Sequence, residues 1–150
     1  MTMTEHRRLM EQALRDVFAD SLRRRGFKGS LPHFRRVSKR RVDYLSVQFN
    51  SAGGSFVVEV ACAGPDGKPQ DYGKHLPIEK LNVTYFTRRL RLGSRPGEGE
   101  ADHWFRFGPA SYEPTSSVPR VEHFRAVAAE AAAYLDAQME TWLEAQQPPN

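Results

Sequence analysis

The feature that most constrains the fold of this 150-residue chain is a pair of alternating apolar runs, YLSVQFNSAGGSFVVEVAC at residues 44–62. Apolar residues at every second position are typical of β-strands with one buried face. With residues 51–54 as the loop, three apolar pairs face each other: Phe49 with Phe56, Val47 with Val58, and Leu45 with Val60. A shift of one residue would pair apolar with polar side chains, so the pattern predicts a single hairpin register.

Helical periodicity occurs near both ends of the chain. An apolar stripe predicts a first helix from about Thr4 to Arg25, with Thr2 and Glu5 at capping-box spacing and Gly26 as its C-terminal stop. A second helix is predicted over residues 118–147. Its seam has near-heptad spacing and consists of Val121, Phe124, Ala128, Ala131, Leu135, Gln138 and Trp142.

Three further strands complete the predicted architecture. They are His33 to Ser38, the segment NVTYFTRRLRL at residues 82–92, and HWFRF at residues 103–107 with Phe105 and Phe107 directed inward. We therefore predict a single globular α+β domain over residues 1–150. Its two layers are an antiparallel sheet of about four to five strands and a layer with an N-terminal and a long C-terminal helix.

The second face of the predicted sheet is a candidate binding surface. If both helices share one layer, this face displays aromatic, Arg and other polar side chains: Tyr44, Gln48, Glu59, Tyr85, Arg89, Arg91, Trp104 and Arg106. Exposed aromatic residues beside Arg favour a contact surface. Two other interpretations remain open, namely one helix on each face, or a solvated antiparallel sheet in which Glu59 forms a cross-strand ion pair with Arg89 or Arg91.

A strongly basic segment spans Arg23 to Arg41, which contains nine basic residues and no acidic one. It is a candidate patch for phosphates or an acidic partner. It is equally typical of a solvated helix end and a charge-protected edge strand. The candidate residues are Arg23, Arg24, Arg35, Arg36, Lys39, Arg40 and Arg41.

No catalytic, metal-binding or cofactor motif occurs in the sequence. The five histidines show no i, i+4 pair and no Cys partner, so no metal site and no cofactor are predicted. The single cysteine, Cys62, lies in an apolar strand and is interpreted as a buried hydrophobe. The charged N-terminus lacks the apolar stretch of a signal peptide, and no apolar run is long enough to span a bilayer. We expect a cytoplasmic protein without a membrane partner.

Several short motifs carry a family resemblance. They are Gly26-Phe27-Lys28, Phe34-Arg35-Arg36, the hairpin residues Gln48, Ser51, Phe56 and Gly64, RLRLG at residues 89–93, and Trp104-Phe105. In these the chain resembles a bacterial family catalogued as domain of unknown function 4304. Phe105 is a departure, since that family often has a second Trp there. The resemblance supports the fold and implies a recurring free-standing bacterial module, of a kind often found in toxin-immunity or defence neighbourhoods.

These observations together favour a non-enzymatic binding protein that engages another protein through the sheet face or the basic segment. A toxin-neutralising or defence-linked role is what the family resemblance implies. The alternative is a nucleic-acid-binding protein that uses residues 23–41 and the sheet face, because aromatic side chains interleaved with Arg can stack single-stranded bases. An enzyme of unknown class is the third hypothesis.

Overall fold

The two predicted helices lie near the ends of the described chain. A computed structural model describes residues 3–69, 76–100, 102–114 and 119–146. Helix α1 consists of Met3–Ala13, a π-helical turn at Leu14–Phe18, and Ala19–Arg24. Helix α2 consists of Val121–Tyr134, a second π-helical turn at Leu135–Met139, and Glu140–Ala145. Thr2, the predicted cap of the first helix, lies outside the described residues.

Helix α1 ends at the glycine that the sequence indicated. Gly26 has a φ of +93°, a conformation that residues with a side chain adopt only at a cost. The amide of Gly26 donates to the Arg23 carbonyl, and the amide of Phe27 donates to the Leu22 carbonyl, both over 3.0 Å. These two bonds form a Schellman motif, which satisfies carbonyls at the helix end. The predicted stop is therefore confirmed.

In the described residues, six antiparallel strands form one sheet. They are β1 (Lys28–Ser30), β2 (His33–Val37), β3 (Val42–Phe49), β4 (Ser55–Ala63), β5 (Leu90–Arg91) and β6 (Phe105–Arg106). The strand order is β1-β2-β3-β4-β5, and β6 pairs with β4 beside β5. The predicted α+β class is confirmed. Strand β1 was not predicted, and it covers part of β2, which is therefore not a simple edge strand.

The predicted register of the central hairpin is confirmed pair by pair. Strands β3 and β4 align Leu45 with Val60, Val47 with Val58, and Phe49 with Phe56. The amide of Asn50 donates to the Ser55 carbonyl at 2.9 Å, which closes the loop where it was expected. Burial of one complete face specifies this register, because a one-residue slip would move every apolar side chain to the other face.

Residues 82–92 do not form the long strand that their alternation predicted. A 3₁₀ turn occupies Val83–Tyr85, and only Leu90–Arg91 pair with β4. The Asn82 side chain accepts hydrogen bonds from the amide and hydroxyl of Thr84, at 2.9 Å and 2.6 Å. Such local side-chain bonds stabilise a turn in competition with a strand. As a result Phe86 lies on the opposite face of the sheet from Leu90 and Leu92, although the period-2 alternation of one continuous strand would place all three on the same face.

Both helices pack on the same face of the sheet. The main core joins Leu14 and Leu22 of α1, Phe124 and Leu135 of α2, and the inward side chains of the hairpin, such as Val58. The opposite face is not fully open, although a binding surface across the whole face would require it to be. At one end it is covered by the segment of residues 76–86. There Leu81, Val83 and Phe86 pack against four residues of β3 and β4: Val42, Tyr44, Ala61 and Ala63.

The π-helical turn in α2 shifts the apolar seam of that helix. Phe124, Ala128, Ala131 and Leu135 are buried as predicted, whereas Val121 is 56% exposed. At the end of the turn and after it, the buried residues are Met139 and Leu143, one position later than the predicted Gln138 and Trp142. A π turn accommodates more residues than an α turn, so the stripe moves by one residue after it. Gln138 and Trp142 are consequently only partly buried and lie beside β5.

Candidate functional site

Four of the eight residues predicted for the sheet face lie together around strand β5. Glu59 of β4 pairs directly with Arg91 of β5. Its Oε2 atom is 3.6 Å from Nε of Arg89 and 3.9 Å from a terminal nitrogen of Arg91, so the predicted cross-strand ion pair is confirmed. The Arg91 guanidinium carbon also lies 5.6 Å from the ring centroid of Trp104, which is 42% exposed. These contacts bring two cations, a carboxylate and an aromatic ring together.

Tyr44 shares this face of the sheet but is not exposed, contrary to prediction. It is only 1% exposed, because Phe86 packs on its ring with the centroids 5.1 Å apart. Its hydroxyl donates to the Gly67 carbonyl at 2.6 Å. Burial raises the pKa of Tyr44 to about 12, so the hydroxyl is protonated at neutral pH. Tyr44 therefore belongs to the apolar cluster between the sheet and residues 76–86.

The remaining three predicted residues lie apart from the Glu59 cluster. Gln48 is exposed near the end of β3. Tyr85 is in the 3₁₀ turn and is 40% exposed. Arg106 is exposed and donates to the Glu113 carboxylate at 2.6 Å, which directs it toward the loop after β6. The predicted sheet face is thus divided between a buried end, a cluster at β5 and three side chains outside both.

Two residues of the predicted basic patch are internal. Nε of Arg36 and Nε of Arg41 each donate to the Asp43 carboxylate at 2.8 Å, and the Asp43 side chain is only 3% exposed. Arg36 also makes two bonds, of 2.7 Å and 3.1 Å, to the Glu140 carboxylate on α2. The Arg36 and Arg41 side chains are 17% and 10% exposed. The prediction that they are solvent-facing is wrong, because they connect the sheet to α2.

The other residues of the basic patch remain at the surface. Arg24 pairs with Asp20 one helical turn earlier, and Arg40 lies 3.9 Å from Glu144. No carboxylate of the described part of the chain lies within ion-pair distance of the remaining three residues: Arg23, Arg35 and Lys39. Arg35 lies on the far face of the sheet, where it pairs in register with Tyr44. The free cations are therefore dispersed over several elements.

The acidic partners of the basic segment were missed by the sequence interpretation. Asp136, Glu140 and Glu144 recur every four residues, so they share one face of α2. Their partners are Arg25, Arg36 and Arg41. The hydrogen bond from Arg36 lowers the pKa of Glu140. The signal in the sequence is an acidic stripe on one helix and a basic segment more than ninety residues away in the chain.

A cleft of about 630 Å³ lies between β5 and α2, and we call it the β5 cleft. Its polar lining includes Glu59, Arg89, Arg91, Asp102, Gln138 and Thr141. Leu90, Pro96, Trp142 and Ala145 contribute apolar surface. The volume is within the range of about 300–1,000 Å³ that is usual for ligand pockets. Residues from the sheet and the helix thus enclose a concave surface with charged and apolar parts.

Gln138 holds the two walls of the cleft together. Its side-chain oxygen accepts a 2.6 Å hydrogen bond from the Gly93 amide, and its side-chain nitrogen donates to the Ser94 carbonyl at 2.9 Å. Both bonds attach the turn after β5 to α2. The side chain belongs to the π-helical turn of α2, a distortion that often occurs at functional sites. The position of Gln138 fixes the separation of β5 from the helix.

The two arginines of the cleft have unused hydrogen-bonding capacity. Among the described residues, neither Arg89 nor Arg91 donates a side-chain hydrogen bond, although each lies within 4 Å of Glu59. Nε of Arg91 is buried without an acceptor there, and a terminal nitrogen of Arg91 is 3.7 Å from Asp102. Each guanidinium carries five N–H donors. The site is therefore suited to bind an acceptor group from outside the chain.

Nucleophilic or metal chemistry has little support within the described residues. Partial burial raises the pKa of the Cys62 thiol, which lowers its thiolate fraction and therefore its reactivity as a nucleophile. Cys62 also lies beside the main core, on the helix side of the sheet. In the described ranges, His, Cys, Asp and Glu side chains form no group of three that could hold a metal ion. No helix there is long and apolar enough to cross a membrane.

Comparison with known proteins gives one match. The family model described as "Domain of unknown function (DUF4304)" matches residues 18–124, well over half of the chain. The matched segment contains all six strands and ends in the first turn of α2, so Gln138 and Trp142 lie beyond it. No curated protein and no solved structure matches.

Proposed function

The chain belongs to the family of the domain of unknown function 4304, which has no assigned activity, and we propose on structural grounds that it is a binding module for a protein partner. The contact surface in this proposal is the β5 cleft together with Trp104, which lies beside Arg91. The observation that carries it is the exposure of Trp104 beside Arg91, whose Nε has no acceptor among the described residues. Trp and Arg are enriched among the residues that dominate protein–protein binding energy.

The charge distribution favours a protein partner over nucleic acid. Arg25, Arg36 and Arg41 are occupied by carboxylates of α2 or β3. The β5 cleft holds two arginines with two carboxylates, Glu59 and Asp102, so its formal charge is balanced. Binding to a phosphate backbone requires an excess of cations on one surface. A protein partner with mixed polar and apolar groups suits a balanced cleft better.

Partner capture from a lysate of the source cells tests the proposal. The immobilised wild type is compared with Trp104→Ala, and Tyr112→Ala is the matched control because Tyr112 is 80% exposed but lies outside the cleft. We expect a protein captured by the wild type and by Tyr112→Ala to be lost with Trp104→Ala. Circular dichroism checks that each variant is folded.

Two results would contradict the proposal. One is the capture of the same proteins by all three forms, which would show that the surface around Trp104 is not the contact surface. The other is capture of RNA or DNA, removed by nuclease and weakening steeply with salt, which would favour the nucleic-acid alternative.

A further inference from the structure

We propose that the β5 cleft recognises a carboxylate group on the partner, either an acidic side chain or a chain terminus, with an apolar side chain beside it. This inference rests on the proposed function and adds the chemistry of the ligand. It starts from a contrast between arginines in or next to the strands of the sheet. Arg36 and Arg41 donate to carboxylates over 2.7–3.2 Å, whereas Arg89 and Arg91 lie 3.6–3.9 Å from theirs.

These longer separations leave donors available for a ligand. A guanidinium and a carboxylate normally meet at about 2.7–2.9 Å through two parallel hydrogen bonds. Glu59 lies close to both Arg89 and Arg91 and neutralises part of their charge, yet its N···O distances to them, 3.6 Å and 3.9 Å, are too long for such a bond. The Arg91 side chain is 22% exposed and lines the cleft, so a ligand there can reach it. An incoming carboxylate can accept the hydrogen bonds that Glu59 does not.

The acidic residues of the cleft favour a carboxylate over a phosphate. Glu59 and Asp102 both lie within 4 Å of Arg91. A doubly charged phosphate would meet more repulsion from these two groups than a singly charged carboxylate, because like charges in a partly buried site repel strongly. A planar carboxylate also matches the guanidinium fork. The site thus favours a planar ligand group with a single negative charge.

The apolar lining predicts what accompanies the carboxylate. Leu90, Pro96 and Trp142 lie beside the arginines in the cleft. An extended peptide places neighbouring side chains on alternate sides, and one apolar side chain next to the acidic group would contact this surface. The hydrogen bonds of Gln138 with Gly93 and Ser94 hold the turn after β5 against α2 before a ligand binds. Less conformational entropy is therefore lost on binding.

The two tryptophans of the sequence supply a local probe for this interaction. Trp104 lies over Arg91, and Trp142 lines the cleft. Intrinsic fluorescence therefore reports on this site alone. The probes are three dipeptides: acetyl-Leu-Glu-amide, acetyl-Leu-Leu with a free C-terminus, and the neutral acetyl-Leu-Gln-amide. Inorganic phosphate is the fourth probe. Each is titrated into the full chain at low ionic strength, up to tens of millimolar.

We expect one of the two acids to bind about tenfold or more tightly than the neutral peptide, because a charge-assisted hydrogen bond contributes that much. The acid that binds identifies the source of the carboxylate. Arg91→Gln should remove this preference, and Arg23→Gln, at an exposed and distant site, should leave it unchanged. If Arg91→Gln does not fold, Arg89→Gln gives the same test at a side chain that is 34% exposed.

Three outcomes would overturn the carboxylate proposal: equal affinity for the acids and the neutral peptide, a fluorescence response to none of the peptides, or tighter binding of phosphate than of both acids. The proposed function is judged separately by partner capture. If a protein is captured in a Trp104-dependent manner while the peptides show no charge preference, the binding function stands and the carboxylate inference fails.

Discussion

Arg36 in strand β2 donates two hydrogen bonds, of 2.7 Å and 3.1 Å, to Glu140 in helix α2. The same guanidinium donates to Asp43 in β3 at 2.8 Å. One side chain thus connects two strands to a helix 104 residues later in the chain. A charged group that is largely removed from water stabilises the fold only when its partners are in place.

The first prediction concerns Asp43, which is 2% exposed and accepts from both Arg36 and Arg41. Asp43→Asn keeps the shape of the side chain but removes the charge that two arginines share. We expect a loss of about 3–5 kcal/mol in the free energy of unfolding, as for other buried ion pairs with one partner removed. Urea unfolding followed by circular dichroism measures it.

Asp20→Asn is the matched control for this experiment. Asp20 pairs with Arg24 on the exposed side of α1, and an exposed pair of this kind contributes about 0.3–0.5 kcal/mol. Equal and small losses in the two variants would show that the buried ion pairs do not stabilise the fold.

The second prediction uses two adjacent residues of the hairpin. Val47 is 3% exposed on the core face, whereas Gln48 is exposed on the other face. Val47→Asp buries an unpaired carboxylate and should reduce stability by more than about 4 kcal/mol. Gln48→Asp should change it by less than about 0.5 kcal/mol. Thermal melting of both variants is the measurement, and similar melting temperatures would contradict the observed assignment of faces.

The sequence predicted most reliably what short-range patterns determine. Alternation specified the β3–β4 register because a slip would expose the entire apolar face. The same alternation failed for residues 82–92, where the side chain of Asn82 stabilises a turn. The acidic stripe of α2 and the basic segment are both visible in the sequence, but the pairing of Arg36 with Glu140 depends on how α2 lies across the sheet. Part of the β5 cleft was predicted, because Glu59, Arg89 and Arg91 were assigned to one face of the sheet. Gln138 and Trp142 were not, because the hydrophobic periodicity of the sequence does not indicate the π turn that directs them toward β5.

The third prediction is a pH dependence that arises from Glu140. The Arg36 hydrogen bond lowers the pKa of Glu140 in the folded state below the unfolded value of about 4.3. In the window between the two values the unfolded chain binds more protons, so stability rises with pH there. The contribution of Glu140 is fully present above the unfolded pKa and is lost as the pH falls through the folded pKa.

Urea unfolding between neutral pH and about pH 3 checks this dependence. Glu140→Gln should be less stable at neutral pH and should show a shallower fall in stability on acidification. Glu130→Gln is the control, because Glu130 is exposed on the same helix and forms no ion pair among the described residues. Identical acid profiles for the wild type and Glu140→Gln would contradict the role assigned to the Arg36–Glu140 contact.

The last prediction concerns the attachment of β5 to α2 by Gln138. Gln138→Ala removes the acceptor of the Gly93 amide and the donor to the Ser94 carbonyl, and both residues are buried. Leaving buried backbone groups unsatisfied should lower the free energy of unfolding by about 1–3 kcal/mol. The turn after β5 should also open more readily.

Amide hydrogen exchange at Gly93 and its neighbours is the decisive measurement. Gln12→Ala is the control, since Gln12 is exposed on α1 and its side chain donates to Asp16. We expect faster exchange at Gly93 in Gln138→Ala alone, with the β3–β4 amides unchanged. Uniform acceleration across the sheet would show instead that Gln138 stabilises the whole fold and does not specifically hold the wall of the cleft.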